Sequence, residues 1–126
     1  MKQTISTADA PDAVGAYSQA TTNGSLVFTA GQIPMTPDGD LLDDEPIATQ
    51  AEQALSNVEA VLASEGLEMS DVLKVTVYLD DIADFEDMND TYAGFFGEAP
   101  PARSAVEVAN LPKGVGVEVE AIATND

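Results

Sequence analysis

The sequence predicts an α+β fold: a mixed sheet with two helices on one face. Two observations predict the element types. Two segments carry apolar residues at helical spacing. Several shorter segments, rich in Val, Ile, Thr and Phe, lie between turn residues. A third observation is their order: strands, helix, strand, helix, two strands. A length of 126 residues implies one domain, residues 1–126, and 44 % hydrophobic residues suffice for a core.

In chain order, Lys2 to Ile5 reads as a short edge strand. Ala16 to Thr21 and Leu26 to Ala30 read as two strands joined through Asn23-Gly24, a hairpin turn signal. Pro37-Asp38-Gly39 is a further turn. Helix one begins near Pro46, a residue suited to the first helical position, with Asp43, Asp44 and Glu45 at its positive end. Ile47, Ala51, Ala54, Leu55, Val58, Val61 and Leu62 form its apolar stripe, and Gly66 is its C-terminal cap. Val72 to Leu79 is a strand with Leu73, Val75, Val77 and Leu79 on one face. Asp80-Asp81 caps helix two, whose stripe is Ile82, Phe85, Met88, Tyr92, Phe95 and Phe96. Arg103 to Ala109 and Val115 to Ala123 are the closing strands. On the last one, Val117, Val119 and Ala121 oppose Glu118, Glu120 and Ile122. If the valines meet the helices, both carboxylates point to the uncovered face. That face is wet in a monomer and an interface in an oligomer.

Charge narrows the function classes. Asp and Glu number 23 against four Lys and Arg, a formal charge of −19. This surface repels phosphate backbones, so nucleic-acid binding is not expected. At molar salt the screening length falls to about 3 Å and self-repulsion fades, so the composition reads as that of a halophile. No apolar run is long enough to span a membrane, and the N-terminus lacks an apolar signal core, so a cytoplasmic location is expected. Without cysteine there is no disulfide or thiolate nucleophile. Without histidine there is no imidazole acid–base catalysis. No metal and no cofactor are expected: Asp38 to Glu45 lacks calcium-loop spacing, and Gly114-Val115-Gly116 is not a dinucleotide fingerprint.

Arg103 is the single arginine, in the uncharged stretch Ala99 to Val106. Its planar fork of donors suits a carboxylate bidentately, so it is the candidate anchor of a small anion. Glu118 and Glu120 are candidates for holding a water beside that anion. A carboxylate near Arg103 would stay ionised. If the last two strands formed a simple hairpin, Arg103 and Glu118 would lie far apart. They can share a site only through interleaved strand order or subunit contact. Tyr17 is a candidate pocket wall. Asn89 and Tyr92, judged on residue type alone, serve helix packing and surface hydrogen bonding.

Pro101 to Ala123 (PARSAVEVANLPKGVGVEVEAIA) resembles the C-terminal signature of the Rid proteins (reactive intermediate deaminase, YjgF-like), RidA branch. Ala13 to Gln19, Thr29 to Pro34 and Asn89 to Phe96 match further blocks in the right order. The resemblance implies a chorismate-mutase-like fold with a six-stranded sheet whose last strand inserts between others. It implies a homotrimer with a central barrel, helices outside and clefts between subunits. It also implies hydrolysis of a small-molecule substrate, 2-imino acids and their enamines, to 2-keto acids and ammonia. Arg103 and Glu118 fall on the family's catalytic positions. Tyr17, Gly31, Asn89 and Ala105 fall on its substrate-binding positions. Three residues depart from the pattern. Ala105 replaces a common cysteine, Ala30 a usual serine and Ala16 a common proline. The competing class is a non-catalytic binder of 2-keto acids, which needs no water-orienting carboxylate.

The charge makes one expectation independent of function. Thermal unfolding followed from 0.1 to 3 M KCl should give a midpoint that climbs with salt. A midpoint indifferent to salt would remove the halophile reading.

Overall fold

The computed structural model describes residues 1–126, the whole chain. The α+β architecture is observed. Strands β1 (Gln3–Ile5), β2 (Ala20–Thr22) and β3 (Leu26–Thr29) precede helix α1 (Ile47–Ala63). Strand β4 (Val72–Leu79), helix α2 (Phe85–Ala93), β5 (Ala102–Glu107) and β6 (Val117–Thr124) complete the chain. The six strands lie in the order β1-β2-β3-β6-β4-β5. All pairs are antiparallel except β4 with β5.

Local chemistry explains most boundaries. The β2–β3 hairpin turns at Asn23-Gly24, with Gly24 at φ +99°. Asn23 Oδ1 accepts from the Ser25 and Leu26 amides at 3.0 and 2.9 Å, a side chain standing in for a turn carbonyl. The segment Ala16–Gln19, expected as strand, is irregular. Gln19 donates its side-chain amide to the carbonyls of Thr7, Ala10 and Pro11, and this ties the preceding chain into a loop. Pairing starts only at Ala20, opposite Thr29.

Pro46 proves to be the N-cap of α1 (ψ 152°) and not its first helical residue. The acidic residues Asp43, Asp44 and Glu45 therefore precede the first turn. The predicted stripe of α1 is buried from Ala51 to Leu62. Gly66, at φ +75°, closes the helix: the Leu67 amide donates to Leu62 O and the Gly66 amide to Ala63 O, at 3.1 and 3.0 Å. Asp81 Oδ1 accepts from the Ala83 amide at 2.9 Å and caps the 3-10 turn Ile82–Asp84 that leads into α2.

One face assignment is corrected. Leu73 is half exposed, whereas Val72, Val75, Val77 and Leu79 are buried. The register against β6 jumps from Val72↔Ala123 to Lys74↔Ile122. This bulge inserts one extra residue and turns Leu73 to the opposite face from Val75. Ile82 is likewise exposed, on the 3-10 turn before α2.

The core lies between α1 and the sheet. Val117, Val119, Ala121 and Ala123 of β6 face the helix layer, beside Val75, Val77 and Leu79 of β4. Glu118, Glu120 and Ile122 occupy the other face, which carries no helix. A buried polar side chain joins the two layers. Gln50 of α1 donates to the carbonyls of Asp43 and Glu45 and accepts from the Gly116 amide at 2.8 Å. Gly116 has no room for more: a Cβ there would lie 2.9 Å from Ile47 Cδ1. Gln50→Ala leaves these backbone groups without partners and should cost about 3 kcal/mol, read as a lower urea midpoint at unchanged slope. An unchanged midpoint would mean that water replaces the amide freely.

Candidate active site

Arg103 pairs in register with Val75, a residue buried beneath the helices, so its side chain faces the helix layer. It lies on β5, at the sheet edge, where α2 meets it. Phe85, Asn89 and Tyr92 stand at i, i+4 and i+7, one face of that helix. The guanidinium carbon is 5.3 Å from the Phe85 ring centroid and 4.6 Å from that of Tyr92. Arg103 Nη1 donates to Asn89 Oδ1 at 2.7 Å. Two ring faces and a neutral amide thus hold the cation. Its side-chain hydrogen bond goes to none of the chain's 23 carboxylates, and most of its donor fork remains for an external anion. The fork borders a hollow of about 380 Å³ lined by Asn89, Tyr92, Phe96, Pro101 and Arg103 among others. The Tyr92 hydroxyl is buried there without a hydrogen-bond partner. Burial pushes its pKa up and Arg103 opposes that, so it is a neutral phenol near pH 7.

Glu118 stands between Val117 and Val119, both buried under the helices, and so points to the opposite face. The chain after β3 crosses beside it: the Gln32 amide donates to Val119 O at 2.7 Å and the Val119 amide to Gln32 O at 3.0 Å. This brings the Gly31 backbone against the carboxylate. A Cβ at Gly31 would lie 2.6 Å from Glu118 Oε2. A side chain at position 31 would have to displace the carboxylate from this place. Tyr17, Gly31, Lys113 and Glu118 line one cleft of about 630 Å³. Gln19 supports its wall through the loop carbonyls described above, and its Oε1 accepts from the Thr7 amide at 2.6 Å. The Glu118 carboxyl is pushed above the ordinary glutamate range, chiefly by burial and secondarily by Glu120.

The candidate residues therefore fall into two groups on opposite faces of the sheet. Tyr17, Gly31 and Glu118 share one cleft, and Arg103 and Asn89 share the other hollow. Interleaved strand order is present, yet it does not unite Arg103 with Glu118 in one chain. The proximity that would let Arg103 hold Glu118 ionised is absent within the chain, where burial shifts the carboxyl toward its neutral form. Ala105 lines neither cleft; it pairs with Val77, and its side chain packs against the core. Asn89 and Tyr92 do more than pack a helix, since they fix the guanidinium. The sequence reading passed over Phe85 as a partner of Arg103, although its spacing with Asn89 and Tyr92 was the available signal. It also passed over Gln19 and Lys113.

A family model described as Endoribonuclease L-PSP matches residues 7–125. The chain is 50 % identical to a RutC family protein of Pyrococcus horikoshii, over 98 % of each chain. It is 46 % identical to the 2-iminobutanoate/2-iminopropanoate deaminase of Escherichia coli, again over 98 % of each. Among solved structures, Escherichia coli TdcF with bound serine superposes with a TM-score of 0.93 at 42 % identity, covering 98 % of this chain and 99 % of that one.

The raised Glu118 pKa carries a stability consequence. The folded chain favours the protonated carboxyl. That contribution is complete below the ordinary glutamate pKa and is lost as pH rises through the raised one. With copies dissociated, Glu118→Gln should therefore show a higher urea midpoint than the parent at pH 7.5 and an equal one near pH 4. A lower midpoint at pH 7.5 would show that favourable contacts hold the ionised carboxylate.

Proposed function

Because the chain belongs to the Endoribonuclease L-PSP family (Rid, YjgF-like), we propose that it hydrolyses 2-imino acids and their enamines in clefts that neighbouring copies complete together. The observation that carries this reading is the placement of Arg103 and Glu118 on opposite faces of one sheet, each in its own half-site. The half-sites can meet only where one copy's helix-side edge abuts another copy's uncovered face. That uncovered face bears apolar residues, with Phe28 44 % and Val106 43 % exposed, beside Glu118 and Glu120. A homotrimer in which three such faces cover one another satisfies both requirements.

The chemistry follows from the residues. A 2-imino acid carries a carboxylate that fits the free fork of Arg103. Glu118 takes a proton from water as the oxygen attacks the imine carbon, and a proton passes to nitrogen. The resulting carbinolamine breaks its C–N bond, releasing ammonia and the 2-keto acid. A carboxylate within reach of the water is the group that can take its proton. Orientation by Arg103 and one acid–base group suffice for an intrinsically labile bond. The deaminase name of the Escherichia coli relative supports this class of reaction. The serine bound to TdcF supports a small carboxylate ligand. The family label names RNA cleavage, but a chain of charge −19 without histidine repels that substrate and lacks the usual base.

The test generates imines from alanine or leucine with an amino-acid oxidase and traps them with semicarbazide in KCl. The protein should suppress the trapped product, and Arg103→Lys, which keeps charge but loses the fork, should lose at least tenfold in kcat/KM. Arg103→Ala and Glu118→Gln should each be nearly inactive alone. Mixed by reversible dissociation, they should regain about a quarter of parental activity, because about one interface in four pairs an intact Arg103 with an intact Glu118. A mixture as inactive as its components would overturn the shared cleft. Absent suppression by the parent, with 2-oxobutanoate still bound, would leave a binding protein.

A further inference from the structure

Lys113 runs against two trends of this chain at once. It is one of four cationic residues among 23 acidic ones, and it is the one non-glycine residue with positive φ, at 57°. Gly114 follows at φ 72°, and the Val115 amide donates back to Pro112 O at 3.3 Å. Two left-handed central residues make a type I′ turn, where Asn, Asp or Gly sit with less strain than lysine. The turn itself does not use the ammonium. The one lysine hydrogen bond of the chain runs from Lys74 to Ser104, and Lys113 makes none. An exposed cation thus stands here against both backbone preference and composition. It stands on the rim of the cleft that holds Tyr17, Gly31 and Glu118.

We propose that Lys113 is an anion-capture residue of this cleft. Its ammonium offsets the negative surface at the mouth and draws a carboxylate-bearing substrate toward Glu118. The nature of that substrate rests on the deaminase reading; the anion preference does not. A group of this kind acts on encounter, so it raises kcat/KM without entering the chemical step. Its influence is greatest at low ionic strength and fades where the screening length is about 3 Å.

The decisive variant is Lys113→Asn, which removes the charge and suits the left-handed conformation, so it should fold at least as stably as the parent. It is compared with Lys113→Arg at the lowest KCl that keeps the parent folded and again at 3 M. At low salt the asparagine variant should lose roughly three- to tenfold in kcat/KM with kcat unchanged. The gap should close at 3 M, the arginine variant should match the parent, and the Tm of Lys113→Asn should be equal or higher. Equal kcat/KM at low salt would overturn the proposal. So would a lower Tm at 3 M KCl, where self-repulsion is screened, or a change of assembly in light scattering, either of which makes Lys113 structural. If the parent has no turnover, calorimetric titration with 2-oxobutanoate separates the two readings. Binding at least threefold weaker in Lys113→Asn at low salt keeps the anion site and sinks the deaminase. Equal binding by the two, or no binding by the parent, sinks the anion site.

Discussion

Strand β6 is paired on both sides, with β3 from the first half of the chain and β4 from the second. This pairing joins the hairpin layer to the β4–α2–β5 unit and closes the core. It needs an inner face of small and branched apolar residues, and Val117, Val119, Ala121 and Ala123 meet that need at 3 % exposure or less. Alternation then forces Glu118 and Glu120 to the other face whatever their chemistry. The carboxylate at the centre of the proposed reaction is thus positioned by the packing of its neighbours. The Gln32–Val119 bridge depends on the same strand and brings the Gly31 backbone to Glu118.

The two half-sites hold their charges by opposite means. Arg103 is held by ring faces and an amide, which attract a guanidinium without neutralising it. Glu118 is shifted toward its neutral form by burial, with a second carboxylate adding to the effect. In a chain with so few cations, an ion pair would have been the easiest fate for Arg103. Within the chain its contacts are instead two aromatic rings and the Asn89 amide oxygen. Lys113 is the third element of this distribution, a cation without an internal partner on the lip of the acidic half.

The parallel pairing of β4 with β5 sets the other distance that matters. It places Arg103 opposite Val75 on the helix side, at the free edge of the sheet. An antiparallel hairpin of β5 with β6 would have changed its register, its neighbours and its access to α2. The division of the candidate residues between two faces is therefore a property of strand order, and the proposed assembly of copies would reunite them.

The sequence by itself determined the element types, the Asn23-Gly24 hairpin, the buried stripe of α1, the Gly66 cap and the two faces of β6. Each of these is a local property: a period, a turn conformation or a cap is encoded within a few residues. Arg103 stood out by composition, whereas alternation put Glu118 and Glu120 on one face and the resemblance to the Rid proteins chose Glu118 between them. The tertiary structure alone decided that Leu73 turns outward, because a bulge depends on the partner strand. It alone decided that Gln19 binds the loop carbonyls of Thr7, Ala10 and Pro11. It also decided that Phe85, Asn89 and Tyr92 close on Arg103, and that Arg103 and Glu118 look away from each other. Hydrogen-bond partners in a sheet, and the helix that covers a given edge, are chosen among distant segments by the burial of the whole core, and no short window of residues contains that choice.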